Sequence, residues 1–200
     1  MSRIAALVLA GGAARRMGGG DKPLLEVGGA PILARVLAVL RLEADALAIS
    51  ANGDPARFAS FGPPVLADGA FAGQGPLAGV LAGLDWAVGA GAEALLTVPG
   101  DTPFVPAGLA AALAPAPACA ASAGHTHHLV ALWPVDCREA LRTLLSHPGS
   151  RAVGGFAAQI GMRAVAFPAG PWDRFLNVNT PAELDAARRL AARTASGEPP

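Results

Sequence analysis

Lysine is almost missing from this chain of 200 residues: among its 15 basic side chains Lys22 is the single lysine, and the other 14 are arginines. Charge of either sign is scarce as well, at 15% of residues with a formal net of +0. That balance excludes a broad positive field for gripping a nucleic-acid backbone or an anionic membrane, and leaves basic charge as a local resource. Cysteine occurs twice, at Cys119 and Cys137, without Cys-x-x-Cys spacing. Neither a disulfide framework nor a zinc site follows, so both are expected to be small buried hydrophobes. No run approaches the ~18 consecutive apolar residues of a membrane span, and the N-terminus lacks a basic-then-apolar signal. The positive mean hydropathy, +0.43, comes mostly from alanine. The expectation is a cytoplasmic protein of one domain, residues 1–195, followed by a frayed tail at 196–200, with no internal repeat.

What the chain does have is a glycine-rich stretch, Leu9-Ala10-Gly11-Gly12-Ala13-Ala14-Arg15-Arg16-Met17-Gly18-Gly19-Gly20-Asp21-Lys22, directly after the apolar run Ile4 to Leu9. The run reads as a buried parallel strand. The glycines leave the backbone free to approach a ligand and present N–H groups to it, as in a phosphate cradle, with Arg15, Arg16 and Lys22 supplying charge. The stretch is not the Walker pattern, since Gly-Lys-Ser/Thr is absent. A chain that elsewhere uses arginine keeps here a compact ammonium on a flexible stem, which suits a site that must follow a phosphate as a point charge.

Strand and helix signals then alternate. A helix is expected from Pro31 to about Arg41, a strand over Ala46 to Ala51, a short helix over Pro55 to Phe61 and a third strand over Pro64 to Ala67, with Asp68 at its end. The turn Gly73 to Gly79 feeds a helix to about Val88, and Ala94 to Val98 is a central strand running into Pro99-Gly100-Asp101-Thr102-Pro103-Phe104. A helix over Pro106 to Leu113 follows, then a strand pair around His125, His127 and His128, read as a solvated hairpin tip because the spacing fits no zinc motif. Later elements are a helix from Cys137 to Ser146, another over Arg151 to Ile160, a strand over Arg163 to Phe167 and an extended Phe175 to Asn179. The last helix opens on the capping box Thr180-Pro181-Ala182-Glu183. The alternation predicts a single three-layer α/β/α Rossmann-like domain with a mostly parallel central sheet. In such a sheet Asp68, Asp101 and the pair Asn177/Asn179 share one rim with the glycine loop. Phosphate donors and a carboxylate able to hold Mg²⁺ would converge there, which suggests phosphoryl or nucleotidyl transfer.

Four stretches now stand in order: Leu9 to Lys22, Gly75-Pro76-Leu77-Ala78-Gly79, Asp101-Thr102-Pro103-Phe104 and Asn177-Val178-Asn179-Thr180-Pro181. Together they resemble the molybdenum cofactor guanylyltransferase family, within the nucleotide-sugar-pyrophosphorylase-like nucleotidyltransferases. The resemblance implies transfer of GMP from GTP to the phosphate of a molybdenum-bearing molybdopterin. It implies that Leu9, Ala10, Gly11 and Gly12 hold the guanine nucleotide, that Lys22 contacts its phosphates, and that Asp68 with Ser50 or Asn52 holds the nucleoside. Asp101 would bind Mg²⁺. Arg16, Gly19, Gly79, Arg151, Asn177 and Asn179 match positions tied to the pterin or to turnover, and Lys22, Arg16 and Asp101 would share the catalytic work. Transient proteins that deliver or receive the pterin are implied, and neither nucleic acid nor membrane is. The rival readings are cytidylyl transfer to the pterin, guanylyl transfer to a cobalamin precursor, and a nucleotide-binding module without turnover.

Overall fold

Strand β1 (Ile4–Leu9) is buried through its middle, and its alternate residues belong to different cores: Ala6 and Val8 to one, Ala5 and Leu7 to the other. A strand covered on both faces has no use for polar alternation, which is why its sequence is a continuous apolar run. The structure, a computed structural model, describes residues 3–11, 21–168 and 172–195. The rest of the glycine loop (residues 12–20) and the tail at 196–200 therefore lie outside the described residues.

A small hairpin of β2 (Glu26–Val27) and β3 (Ala30–Pro31) stands apart from the main sheet. The main sheet adds β4 (Ala46–Ser50), β5 (Val65–Leu66), β6 (Ala94–Pro99), β7 (Ala118–Ser122), β8 (His125–Pro134) and β9 (Arg163–Ala166) to β1. Its order is β5-β4-β1-β6-β8-β7-β9, and β8 alone runs against its neighbours. The helices are α1 (Ile32–Leu40), α2 (Pro76–Gly89), α3 (Leu109–Leu113), α4 (Arg138–Ser146), α5 (Val153–Gln159) and α6 (Pro181–Ala195). One face of the sheet packs Leu33 and Leu37 of α1, Leu109 of α3 and Ala187 of α6; the other packs Leu81 and Leu84 of α2, Leu141 of α4 and Phe156 of α5. This is the expected three-layer, mostly parallel α/β/α arrangement.

Several expectations change in detail. The helix expected from Pro106 begins only at Leu109, because Gly108 before it takes a left-handed φ of 77°. Glu43, just past α1, accepts from the N–H of Gly108 and, at 3.0 Å, from that of Ala110, so a side chain distant in sequence defines the start. The helix expected from Arg151 begins at Val153. Phe175 to Asn179 joins no strand. The histidines do not sit in a turn: the β7–β8 connection is the pair Ala123-Gly124, with φ of 47° and 78°, and His125, His127 and His128 are strand residues of β8. Two consecutive residues with positive φ make the tight turn whose twist matches that of the strands it joins. Cys119 and Cys137 are buried and free, and burial pushes the Cys137 thiol up to about 12.

The buried hydroxyl of Thr97 ties the sheet's centre together. Its Oγ1 donates to the Leu129 carbonyl at 2.8 Å and accepts from Trp133 Nε1 at 2.8 Å, while the Trp133 ring stacks on Phe156 at 6.2 Å. Thr97→Val keeps the shape and leaves the indole N–H unpaired in a dry core. The expected cost is about 1–3 kcal/mol, read as a lower urea midpoint with an unchanged slope.

Candidate active site

Leu9 at the end of β1 pairs in register with Pro99 at the end of β6. From β1 the chain builds β4 and β5 on one side and then crosses through α2 to β6 on the other, so the strand order reverses between β1 and β6. A crevice beyond the carboxyl ends of the strands is the geometric result of that reversal. Gly100 lets the two strand exits approach: its N–H donates to the Leu9 carbonyl at 2.9 Å, and a Cβ on it would lie 3.3 Å from that oxygen and 3.0 Å from Pro23. Asp101 follows at the mouth of the crevice.

Two connected clefts open here. The larger, of about 700 Å³, is lined by Leu9, Gly11, Asp21, Ser50, Asn52, Arg57, Asp68 and the Gly73–Gly79 turn. Its size is that of a small-molecule site. The smaller, of about 180 Å³, is lined by Ala10, Lys22, Asp101, Leu129 and Asn177, and shares Leu9, Gly11 and Pro76 with the first. Gly79 forms part of the larger cleft's floor because a Cβ there would come within 2.5 Å of Ser50 Oγ. Across that cleft Asn52 and Asp68 lock each other: Asn52 Nδ2 donates to Asp68 Oδ2 at 2.6 Å, and the Asp68 N–H donates to Asn52 Oδ1 at 3.0 Å.

Lys22 stands in the wall of the smaller cleft. Its ammonium donates to Asn179 Oδ1 at 2.5 Å and lies 3.9 Å from Asp101 Oδ2, with about a fifth of each of the Lys22 and Asp101 side chains exposed. Burial pushes the Asp101 carboxyl above its usual range, and the attraction of Lys22 offsets that only in part. The two asparagines are fixed from several directions. Thr102 Oγ1 donates to Asn177 Oδ1 at 2.8 Å, and the Val178 N–H between them donates to the Asp101 carbonyl at 2.9 Å. The capping box of α6 forms with a shift: Thr180 Oγ1 accepts from the Glu183 N–H at 3.3 Å, while Glu183 reaches one residue further back, to the N–H of Asn179 at 2.7 Å. The helix cap thereby holds a site residue.

Of the residues singled out in the sequence, Leu9, Ala10, Gly11, Lys22, Ser50, Asn52, Asp68, Gly79, Asp101 and Asn177 line the clefts, and Asn179 holds Lys22. Gly12, Arg16 and Gly19 lie outside the described residues. Arg151 lines neither cleft. Its guanidinium binds Gln74 Oε1 at 2.8 Å, beside the Gly73 and Gly75 rim, and the carbonyls of Leu145 and His147. The sequence reading passed over Arg57, whose Nη1 pairs with Asp21 at 3.1 Å across the larger cleft and whose Nη2 meets the Asn52 carbonyl at 2.5 Å. No motif marks Arg57. Thr102 and Glu183 did lie inside quoted motifs, but as turn and cap residues. Among the described residues no group of three or more His, Cys, Asp and Glu is arranged to hold a metal ion.

Residues 6–160 match the MobA-like NTP transferase domain family. A protein of Acidiphilium cryptum named molybdenum cofactor guanylyltransferase is 58% identical over 186 residues, 93% of this chain and 94% of its own length. One of the same name from Rhodopseudomonas palustris is 48% identical over 197 residues, 94% of each chain. Among solved structures, molybdopterin-guanine dinucleotide biosynthesis protein A of Archaeoglobus fulgidus superposes with a TM-score of 0.72 at 19% identity, covering 94% of this chain and 99% of its own, a likeness of fold. With relatives about half identical along nearly its whole length and a family match over most of it, the chain belongs to the MobA-like NTP transferases, in the molybdenum cofactor guanylyltransferase family.

Proposed function

We propose that the chain joins the GMP part of GTP to the terminal phosphate of molybdenum-bearing molybdopterin and releases pyrophosphate. The observation that carries this reading is the placing of Lys22 in the wall of the smaller cleft, held by Asn179 and facing Asp101. The larger cleft would take the nucleotide, with its base and ribose toward Ser50, Asn52 and Asp68. The smaller would receive the acceptor's phosphate beside Asn177. An acceptor oxygen forms a bond to the α-phosphorus as the bond to the bridging oxygen breaks, and the electron pair leaves with pyrophosphate. Because the attacking phosphate is already anionic, the chain needs little general-base help. The residues align the reactants and neutralise charge.

The donor set suits Mg²⁺, which takes one or two carboxylates and fills its remaining positions from phosphates and water. Asp101 would hold it, and a carboxylate that Lys22 neutralises only in part is a fitting ligand. Bound there, the ion supplies positive charge to the α-phosphate and the departing pyrophosphate. Lys22 supplies a second charge and Asn179 fixes its ammonium. Arg16 in the glycine loop is part of the same reading. So are a cytoplasmic setting and transient proteins that bring and remove the pterin. The deciding experiment is pyrophosphate release in Mg²⁺ with the pterin acceptor and GTP, repeated with CTP. Turnover with GTP supports the reading, and tight GTP binding without release overturns it.

Asp101→Asn is expected to keep most GTP affinity and to lose turnover by a factor on the order of 10² or more. It also carries a stability signature. The Asp101 carboxyl is raised in the fold, so its ionisation favours the unfolded chain; this penalty is absent below the unfolded-state value and complete above the folded one. In protein free of metal and nucleotide, Asp101→Asn should therefore raise Tm at neutral pH and leave it unchanged near about pH 3. Normal Mg²⁺-dependent turnover in this variant would remove Asp101 from the mechanism.

Lys22→Arg replaces a compact ammonium by a longer planar fork between Asn179 and Asp101. Expected are an unchanged Tm without nucleotide, weaker stabilisation by GTP and a fall of about 10²-fold in pyrophosphate release. Parental turnover would leave phosphate binding to the loop's backbone and arginines. Asn177→Ala and Asn179→Ala should impair use of the pterin more than GTP binding. Separate affinity measurements check this, and collapse of GTP binding alone would reverse the two subsites.

A further inference from the structure

Residues 173–179 carry both site asparagines without belonging to a strand, so something other than the sheet ladder must set their position. Downstream, the cap of α6 does so through Asn179. Upstream, the segment meets the β7–β8 hairpin. Ser122 Oγ donates to Asp173 Oδ1 at 2.6 Å, and the same carboxylate oxygen accepts from the Phe175 N–H at 2.9 Å. His127 Nε2 lies 2.8 Å from Ser122 Oγ and 3.6 Å from Asp173 Oδ2. A hydroxyl has one proton, and Ser122 gives it to the carboxylate. His127 must therefore be the donor to Ser122, which fixes a proton on Nε2. The Phe175 ring is buried between His127 at 5.2 Å and Phe167 at 5.0 Å, edge on to the latter.

We propose that Ser122, His127 and Asp173 are positioning residues for the transfer reaction: their polar knot clamps the start of the 173–179 segment to the hairpin, so that Asn177 meets Thr102 and Asn179 meets Lys22. Within seven residues the chain passes from the knot at Asp173, through the Phe175 ring, to Asn177, Val178 and Asn179, each with a partner in the site. Were Asp173 released, Phe175 would remain buried but the turn leading to it would lose two hydrogen bonds, and the asparagines' lateral setting would loosen. Burial lowers the His127 pKa, with Asp173 pulling it up and His125 and His128 adding to the fall. What the knot requires is a proton on Nε2, which the Nε2–H tautomer and the imidazolium both carry. The inference rests on the reading above that the asparagines serve turnover.

The test is steady-state pyrophosphate release by the full chain with GTP and the pterin acceptor, comparing Ser122→Ala, Asp173→Ala, Asp173→Asn and Asn179→Ala. Expected for Asp173→Ala is a fall in kcat of about tenfold with KM for GTP within about twofold, because small misplacements at a reacting centre act on the rate. Asp173→Asn should regain most of it, since the amide oxygen accepts the same two hydrogen bonds. Parental kcat in Asp173→Ala, or a loss that Asp173→Asn does not rescue, overturns the positioning role. Should Asp173→Ala fail to fold, Ser122→Ala decides: reduced kcat at parental KM for GTP supports the role, and parental kcat overturns it. Impaired Asn179→Ala beside silent Asp173→Ala defeats the knot alone. Silent Asn179→Ala defeats the reading of the asparagines on which it rests.

Discussion

The pairing of β1 with β6 is the constraint on which the rest of the site depends. Side by side in register from Ile4↔Ala94 to Leu9↔Pro99, the two strands must release the chain at the same height, and the segments that follow leave toward opposite halves of the sheet. A gap is unavoidable between them. What fills it comes from both exits: the start of the glycine loop from β1, and Gly100 and Asp101 from β6. Because both strands are buried on both faces, this height cannot shift without moving two cores at once.

Placed in that gap, Asp101 is in a poor setting for its own charge. Burial opposes ionisation, and the nearest ammonium stands off at 3.9 Å while bonding more closely to Asn179. The mismatch leaves the carboxylate only partly compensated, because the ammonium nearest to it is shared with Asn179. The remaining groups are arranged around the mismatch. Thr102 turns Asn177, the Asp101 carbonyl anchors Val178, and the α6 cap anchors Asn179.

How much of this the sequence revealed follows the range of the interactions involved. The apolar runs of β1 and β6, the Asp101 turn and the capping box are all local in sequence, and each was placed by its own residues. The elements that shifted depend on distant partners. The α3 start is set by Glu43 from the turn after α1, and Arg57 enters the cleft because Asp21 attracts it. The histidines looked like a polar turn because three of them fall within four positions. A two-residue Ala123-Gly124 turn suffices instead, and His127 folds back on Ser122 and Phe175. Lone polar residues such as Ser122 and Asp173 carry no periodic or motif signal, so their convergence was legible only in space.

The reach of Glu183 to the backbone of Asn179 bears on the order in which this chain emerges from a ribosome. Both strand exits, the glycine loop and Asp101 are synthesised first, and with them every wall of the larger cleft. The smaller cleft waits for the Asn177–Asn179 stretch, and that stretch waits for the first turn of α6. A nascent chain thus carries every lining residue of the larger cleft well before the partner that fixes the ammonium of Lys22 is made. Asn179 follows Gly79, the last lining residue of the larger cleft, by 100 positions, so the lining of one cleft is in place long before the hydrogen bond that orders the other.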